Sequence, residues 1–508
     1  VSAAHDAASS ADDLPPVAGP PDTLLDLDTR WQALLSEAPD VAVIEHAGTV
    51  WTRRQFENLI TQTAARWQAA GWGRQDIVAW YGLNTPQMLA ALLAAVRGGQ
   101  VLLPLNWRLA QAELLQVLRH AGVAGIDGSE ESAPALASLR QAWAQASPQP
   151  VHGSALAEDA LLVYTSGTTG QPKGAMHTRR QLAANAQAAI SVQGLDGQTR
   201  ALAVLPLFHV GGLCIQVLPT LMAGGVIRLH GRFDAGLWLS DVGHWRPSTS
   251  LLVPATMRAI LEHPAWPTTP LDALAFVNSG SSVVPASQIH AFHTRGVPVA
   301  QVYGSTETGP FSIALKPAEA LLHVGSTGTP APGVEVRLLD AAGQPVPPGQ
   351  VGQIVLRGAN VMRGYHREPT HPDFVNGWFH SGDLACQTPD GRYTVVGRLK
   401  DMIISGGENI YPAEIENLIA ALPGVAECAV VGMPDARWGE VPVLAVVEEA
   451  GCRLGDAELH EALAEQLARF KHPHRIVRMS ALPKTALGKV VKPAVIEQIT
   501  AIGSNPAD

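Results

Sequence analysis

Residues 164–175, YTSGTTGQPKGA, crowd hydroxyls, glycines and one lysine, Lys173, into a turn that follows the apolar run ALLVY. Such a loop can wrap a polyphosphate: glycine lets the backbone approach the oxygens, hydroxyls and exposed N–H groups donate to them, and the ammonium adds a charge. The same composition also describes an ordinary flexible turn, and the spacing G-x-x-x-x-G-K-[ST] of the common P-loop is absent. Further on, YGSTETGP (303–310) sets Glu307 in a Gly/Thr turn, where a carboxylate can hold Mg²⁺ bound in turn to phosphate, or can be a solvated loop acid. Asp383 in WFHSGDLA (378–385) reads by itself as a turn aspartate, and Lys489 in PKTALGKV (483–490) as a solvated charge. His209 in PLFHVGG follows an apolar run, where a histidine is usually a satisfied core side chain.

The elements that must position these groups alternate between about 160 and 310: short apolar runs end in Gly/Ser/Thr clusters and give way to helical patterns. ALLVY, STSLLVP (248–254), LAFVNSG (274–280) and VPVAQVY (297–303) each read as strands of a parallel α/β sheet. Ligands of such sheets bind outside the carboxyl ends of the strands, so clusters a hundred residues apart are expected to converge on one crevice. From 320 to 398, alternation in GVEVRLL and GQIVLRG, broken by AAGQPVPPG and TPDGRY, predicts antiparallel hairpins. The remaining 110 or so residues alternate helical and strand-like segments and predict a compact α+β unit.

With 45 acidic against 35 basic residues, the 508-residue chain carries a formal charge of −10, so nucleic acid is not an expected partner. Cys214, Cys386, Cys428 and Cys452 form no C-x-x-C pair, which argues against a disulfide framework or a structural zinc and for a reduced, cytoplasmic protein. Apolar runs stay well short of the roughly 20 residues that span a bilayer, and MLAALLAAV (88–96) reads as a buried helix, so no membrane partner is expected. The small, polar, acidic residues 1–22 read as a disordered tail without the features of a signal peptide.

YTSGTTGQPKG resembles the phosphate-loop signature of the adenylate-forming superfamily, which comprises acyl-CoA synthetases, adenylation domains and luciferases. YGSTETGP, WFHSGDLA, GRLKDMIISGGENIYPAEIE (397–416) and PKTALGKV resemble its later motifs in the same order. Weaker similarity reaches back to LPLNWRLAQAEL (103–114), so the resemblance spans nearly the whole chain outside the tail. It implies an α/β fold: a large N-terminal domain (23–398) with parallel α/β sheets and a small antiparallel β subdomain, then a small mobile α+β lid (399–508) hinged near Lys400.

Residue by residue, the resemblance puts Thr165, Ser166, Gly167, Thr168, Thr169 and Lys173 on the phosphates of ATP. Tyr303, Gly304, Ser281 and Ser282 fall around adenine, although NSGSS replaces a commoner Gly/Ala-rich version, and Asp383 and Arg398 fall on the ribose. Thr306 and Glu307 match the residues that contact ATP and Mg²⁺. Lys489 matches the catalytic lysine that reaches in from the small domain to the carboxylate and α-phosphate; Lys492 stands where an arginine is often found. His209 matches a residue that lines the acyl pocket and gates the thiol. Ser405, Gly406 and Gly407 match the loop beside the pantetheine channel, while Trp438 and ARFKHPHR (468–475) resemble contacts to the CoA nucleotide, with His474 in place of a fixed charge.

The implied reaction is ATP-dependent ligation of a carboxylic acid to coenzyme A through an acyl-adenylate, with ATP, Mg²⁺ and CoA as the small-molecule partners; a homodimer stays open. His209, Gly211, Gly212, Val253, Ser279, Gly280 and Phe311 are the candidate walls of the acyl pocket, and their small, apolar character favours an aromatic or cinnamate-like acid. A short- or medium-chain fatty acid is the alternative. An amino-acid-activating domain, a luciferase-type oxygenase and a nucleotide-binding regulator without catalysis are further readings. The first lacks an acid in FHVGGLCIQ (208–216) to bind a substrate ammonium, and intact Lys173, Glu307, Asp383, Arg398 and Lys489 argue against the last.

Overall fold

The computed structural model describes residues 26–146, 151–153, 155–165, 173–368, 370–405, 408–435, 437–464, 466–485 and 488–503. Among them, four sheets carry the chain. The nine-stranded sheet runs from Thr329–Pro330 through Ile313–Ala314, Val299–Tyr303, Phe276–Gly280, Thr249–Leu252, Arg200–Ala203, Val226–Leu229 and Ala42–His46 to Thr49–Thr52. Its middle is parallel, and antiparallel pairs close both edges. Of the inner strands, Thr249–Leu252, Phe276–Gly280 and Val299–Tyr303 are buried along their whole length, as strands of a sheet covered on both faces are.

A six-stranded sheet holds Asp159–Thr165 beside Val101–Pro104 and Ile77–Tyr81. Here the sequence expectation of one parallel sheet over 160–310 is corrected. Asp159–Thr165 belongs to this second sheet and pairs antiparallel with Lys173–Thr178, from Asp159↔Thr178 to Thr165↔Lys173. The segment between them therefore connects two paired antiparallel strands rather than a strand and a helix. Local composition could not separate these cases, since both begin with an apolar strand running into glycines.

The helix Pro86–Gly98 is buried on all sides from Met88 to Val96, starts with proline in its first turn and stops at Gly99 in a left-handed conformation (φ +79°). It packs into the core shared by the two large sheets. The segment 334–398 forms the expected antiparallel sheet, with Trp378–Gln387 between Val351–Gly358 and Tyr393–Arg398. From Ile403 onward a further sheet is built on the long pair Val425–Asp435 and Gly439–Glu448. Val430 and Leu444 face one apolar cluster while Ala429, Val431, Val443 and Ala445 face another, so period-two alternation buries both faces under helices. All four cysteines are unpaired, and no described helix is long and apolar enough to cross a membrane.

Candidate active site

Asp383 and Arg398 face each other across two antiparallel strands, and the register puts Arg398 Nε 3.0 Å from Asp383 Oδ1. The Tyr303 hydroxyl, at the carboxyl end of its own strand, donates to Asp383 Oδ2 at 2.9 Å. Asp383 is only 7% exposed, so the two donors compensate most of the cost of burying its charge. Burial and then the Asp383 charge push the Tyr303 phenol well above its ordinary value, so it stays a donor at neutral pH.

Lys489 arrives at the same place. Its loop is closed by Thr485 N–H donating to the Lys489 carbonyl (2.8 Å) and by Lys489 N–H donating to Thr485 Oγ1 (3.2 Å). Gly488 sits at φ +78°, and a side chain there would lie 2.9 Å from Ala255 Cβ on the helix Pro254–Leu261. The Lys489 ammonium feels Arg398, Lys400, Asp383 and Asp401 while keeping some exposed surface. Desolvation and then Arg398 hold its pKa below the ordinary lysine value, partly offset by the two carboxylates.

On the phosphate side, Thr165 and Lys173 are cross-strand partners at the base of the loop, while Ser166, Gly167, Thr168 and Thr169 lie outside the described residues. Lys173 Nζ is 2.8 Å from His371 Nε2 and 5.2 Å from the centre of the Tyr365 ring. The Tyr365 hydroxyl donates to Glu307 Oε1 at 3.1 Å, and the Glu307 carbonyl accepts from Met362 N–H. His177 lies beneath the same turn, hydrogen-bonded to the Thr306 backbone and pushed down to about 4 by burial. Glu307 with the Thr306 hydroxyl offers hard oxygen donors, and no described group of three or more His, Cys, Asp or Glu could hold a metal alone. That donor set fits Mg²⁺, which keeps waters and is commonly bound by one or two carboxylates plus substrate phosphates.

The acyl-pocket candidates divide by their surroundings. His209 packs 4.5 Å from the Phe208 ring, its Nε2 is buried without a hydrogen-bond partner among the described residues, and burial, then Arg108, pushes it down to about 4. Ser279 Oγ is likewise buried and unpartnered. A Cβ on Gly211 would meet nothing nearer than Ile215 Cδ1 at 3.9 Å, whereas one on Gly212 would sit 2.3 Å from the Pro206 carbonyl oxygen and one on Gly280 2.2 Å from that of Val302. Gly212 and Gly280 therefore serve close backbone approach, and Gly211 has room for a methyl. Val253 is buried beside its helix start, and Phe311, with 0% exposure, is a core residue. Ser281 and Ser282 are exposed, with Ser281 at φ +72°, a costly conformation for serine. Gly304 packs against the Gly309 and Pro310 backbone at the head of the Glu307 turn.

Of the proposed CoA contacts, Ser405 pairs with Gly439, next to Trp438; Ser405 is buried, and Trp438 is 41% exposed under the Arg437 guanidinium. Gly406 and Gly407 lie outside the described residues. His474 is exposed, and Lys492 bonds the Val430 carbonyl and Glu416, a packing role. Lys400 lies in the short turn Leu399–Asp401. Tyr365, His371 and His177 join the cluster around Lys173 and Glu307 without having been legible in the sequence; for Tyr365 and His371 the one signal is a run of polar side chains after Gly364 without strand alternation, and for His177 there is none.

This geometry can be set beside known proteins. The AMP-binding enzyme family model matches residues 30–366 and the AMP-binding enzyme C-terminal domain matches 414–489. The indoleacetate–CoA ligase of Aromatoleum aromaticum is 41% identical, covering 86% of this chain and 91% of that protein. A feruloyl-CoA synthase of Amycolatopsis is 40% identical, with 90% and 95% covered. ATP-bound MatB from Rhodopseudomonas palustris superposes with a TM-score of 0.85 at 29% identity, over 94% of this chain and 99% of that one. The chain belongs to the AMP-binding enzyme family, the adenylate-forming enzymes. Within it, this is an AMP-forming acid–CoA ligase.

Proposed function

We propose that this ligase activates an aromatic carboxylic acid of the arylacetate or hydroxycinnamate type, and that its two half-reactions use one crevice. The observation that carries the first half-reaction is the placement of Lys489 beside the Asp383–Arg398 pair. Asp383 accepts from the ribose hydroxyls, Tyr303 and Ser281–Ser282 border adenine, and the phosphates run toward Lys173 and Glu307. Mg²⁺ held by Glu307 and Thr306 would neutralise charge on the phosphates. Lys489 then faces the α-phosphate and the attacking carboxylate, where a preorganised cation stabilises the charge that develops. Activation is needed because a carboxylate oxygen is a poor leaving group and AMP a good one.

Thioester formation needs other groups at the same place. Rotation about Leu399–Asp401, with Lys400 at the hinge, would withdraw Lys489 and bring in the strand carrying Ser405 with exposed Trp438 beside it. His209, neutral at physiological pH, lines the acyl side. The aromatic assignment draws support from the relatives named above and from the room beside Gly211, where even an added Cβ would meet nothing nearer than 3.9 Å. The test is carboxylate-dependent pyrophosphate release with MgATP across arylacetates, hydroxycinnamates, benzoates and C2–C12 fatty acids, each with and without CoA. Turnover confined to the fatty acids would reject the aromatic assignment.

A further inference from the structure

The contact that fixes Lys173 is unusual in its chemistry. An ammonium has only donors, so His371 Nε2 at 2.8 Å must accept from it, and the ring of a neutral His371 then carries its proton on Nδ1. Asp373 Oδ2, 3.2 Å from Nδ1, is placed to accept the hydrogen bond from that ring N–H; the Asp373 backbone N–H also points at Nδ1, from 3.3 Å, and the shorter Lys173 contact at Nε2 favours the tautomer with its proton on Nδ1. Glu368 Oε2 lies 3.7 Å from Nε2 on the lysine side. The imidazole is almost wholly buried, its ring centre 4.5 Å from that of Tyr365, and Tyr365 in turn holds Glu307. Its backbone is held by Phe374 N–H donating to the His371 carbonyl at 3.0 Å. One chain of contacts thus joins Asp373, His371, Lys173, Tyr365 and Glu307.

We propose that His371 is a positioning residue for Lys173, a neutral acceptor that aims the ammonium at the β- and γ-phosphates of ATP, and at the departing pyrophosphate, without neutralising it. A carboxylate as the direct acceptor would fix the lysine equally well but would compete with phosphate for its charge; an imidazole orients it and leaves the charge for the ligand. The inference rests on the ligase reading for the identity of the anion.

The test uses the full chain and calorimetric binding of MgATP, magnesium pyrophosphate and AMP. His371→Phe keeps a ring against Tyr365 but has no acceptor; His371→Gln restores an acceptor near the Nε2 position; His371→Ala is a second variant without an acceptor. Loss of one charge-assisted hydrogen bond predicts about tenfold weaker binding of MgATP and pyrophosphate in the Phe and Ala variants. The Gln variant should recover most of it, and AMP, which lacks the outer phosphates, should bind all of them as it binds the parent. Added to Lys173→Ala, His371→Phe should weaken MgATP by less than about twofold, because the two act as one unit. Equal weakening of AMP and ATP, additive effects in the double variant, or parent-like affinity in both acceptor-free variants overturns the proposal. If the parent binds MgATP but releases pyrophosphate with no acid, the ligase reading falls, while the same affinity ratios still judge His371.

Discussion

Adjacent glycines in the turn Val210–Gly212 should respond to the same substitution with opposite signs. Gly211→Ala adds a methyl whose nearest neighbour is 3.9 Å away, an ordinary contact, and removes the entropic cost of glycine in a helical turn. Stability should hold or rise by up to about 1 kcal/mol. The methyl projects into the space assigned to the acid, and an excess methyl in a tight apolar pocket costs about 1–3 kcal/mol, or roughly 10- to 200-fold in kcat/KM, for acids that fill it. Acids too small to reach it should lose little. Gly212→Ala places its Cβ 2.3 Å from the Pro206 oxygen, 2.9 Å from the Pro206 carbonyl carbon and 3.1 Å from the Leu205 oxygen. These are backbone atoms and cannot rotate away, so a loss of about 2–3 kcal/mol or more is expected. Urea unfolding of both variants, with kcat/KM over an acid series from acetate to hydroxycinnamates, reads both effects. Destabilisation of Gly211→Ala equal to that of Gly212→Ala, or equal slowing of every acid, would refute this assignment of Gly211.

Lys489→Ala should cut carboxylate-dependent pyrophosphate release by about a hundredfold or more, yet leave thioester formation from supplied acyl-adenylate nearly intact. Because its pKa is lowered, the charged form is lost at lower pH than for an ordinary lysine, so adenylation should fall on an early alkaline limb that Lys489→Arg moves upward. Arg258 reaches from the helix Pro254–Leu261 to the Ala426 carbonyl and Glu427, which also binds Lys484. Arg258→Ala should therefore slow adenylation by about three- to tenfold and spare thioester formation, as half-reaction assays would show. His177 binds its proton near 4 in the fold and near 6.5 when unfolded, so its contribution is intact above about 6.5 and lost as pH falls toward 4. Between pH 7 and 5 the parent should lose about 2 kcal/mol more stability than His177→Leu, measured by urea unfolding.

Much of the candidate site was legible because its residues sit in short contiguous motifs. Glu307 and Lys489 each stand in a string whose local turn contains a neighbouring glycine at positive φ, and Asp383 follows such a glycine within its strand, so all three could be singled out without knowledge of the fold. The hairpin nature of the phosphate loop was not legible, since whether a strand turns back or enters a helix depends on which sheet receives it. The acyl-pocket candidates mixed kinds for the same reason: Gly211 and Gly212 are identical in sequence terms, and only the position of the Pro206 carbonyl separates them. Phe311, a candidate wall, has no exposed surface, and that burial was not legible because it depends on what packs on a residue.

By itself, then, the sequence determined the order of the motifs, the alternation of strands and helices in the large unit, and the helical and strand-like segments of the last one. Those follow from side-chain periodicity and from backbone preferences that act over a few residues. Tertiary structure alone decided that Tyr303 donates to Asp383 eighty residues away, that Lys489 meets that pair, and that His371 rather than a carboxylate receives Lys173. Contacts of that range depend on strand register and on how one sheet packs against the next, where a single-residue slip would turn Tyr303, Asp383 or Lys173 to the opposite face.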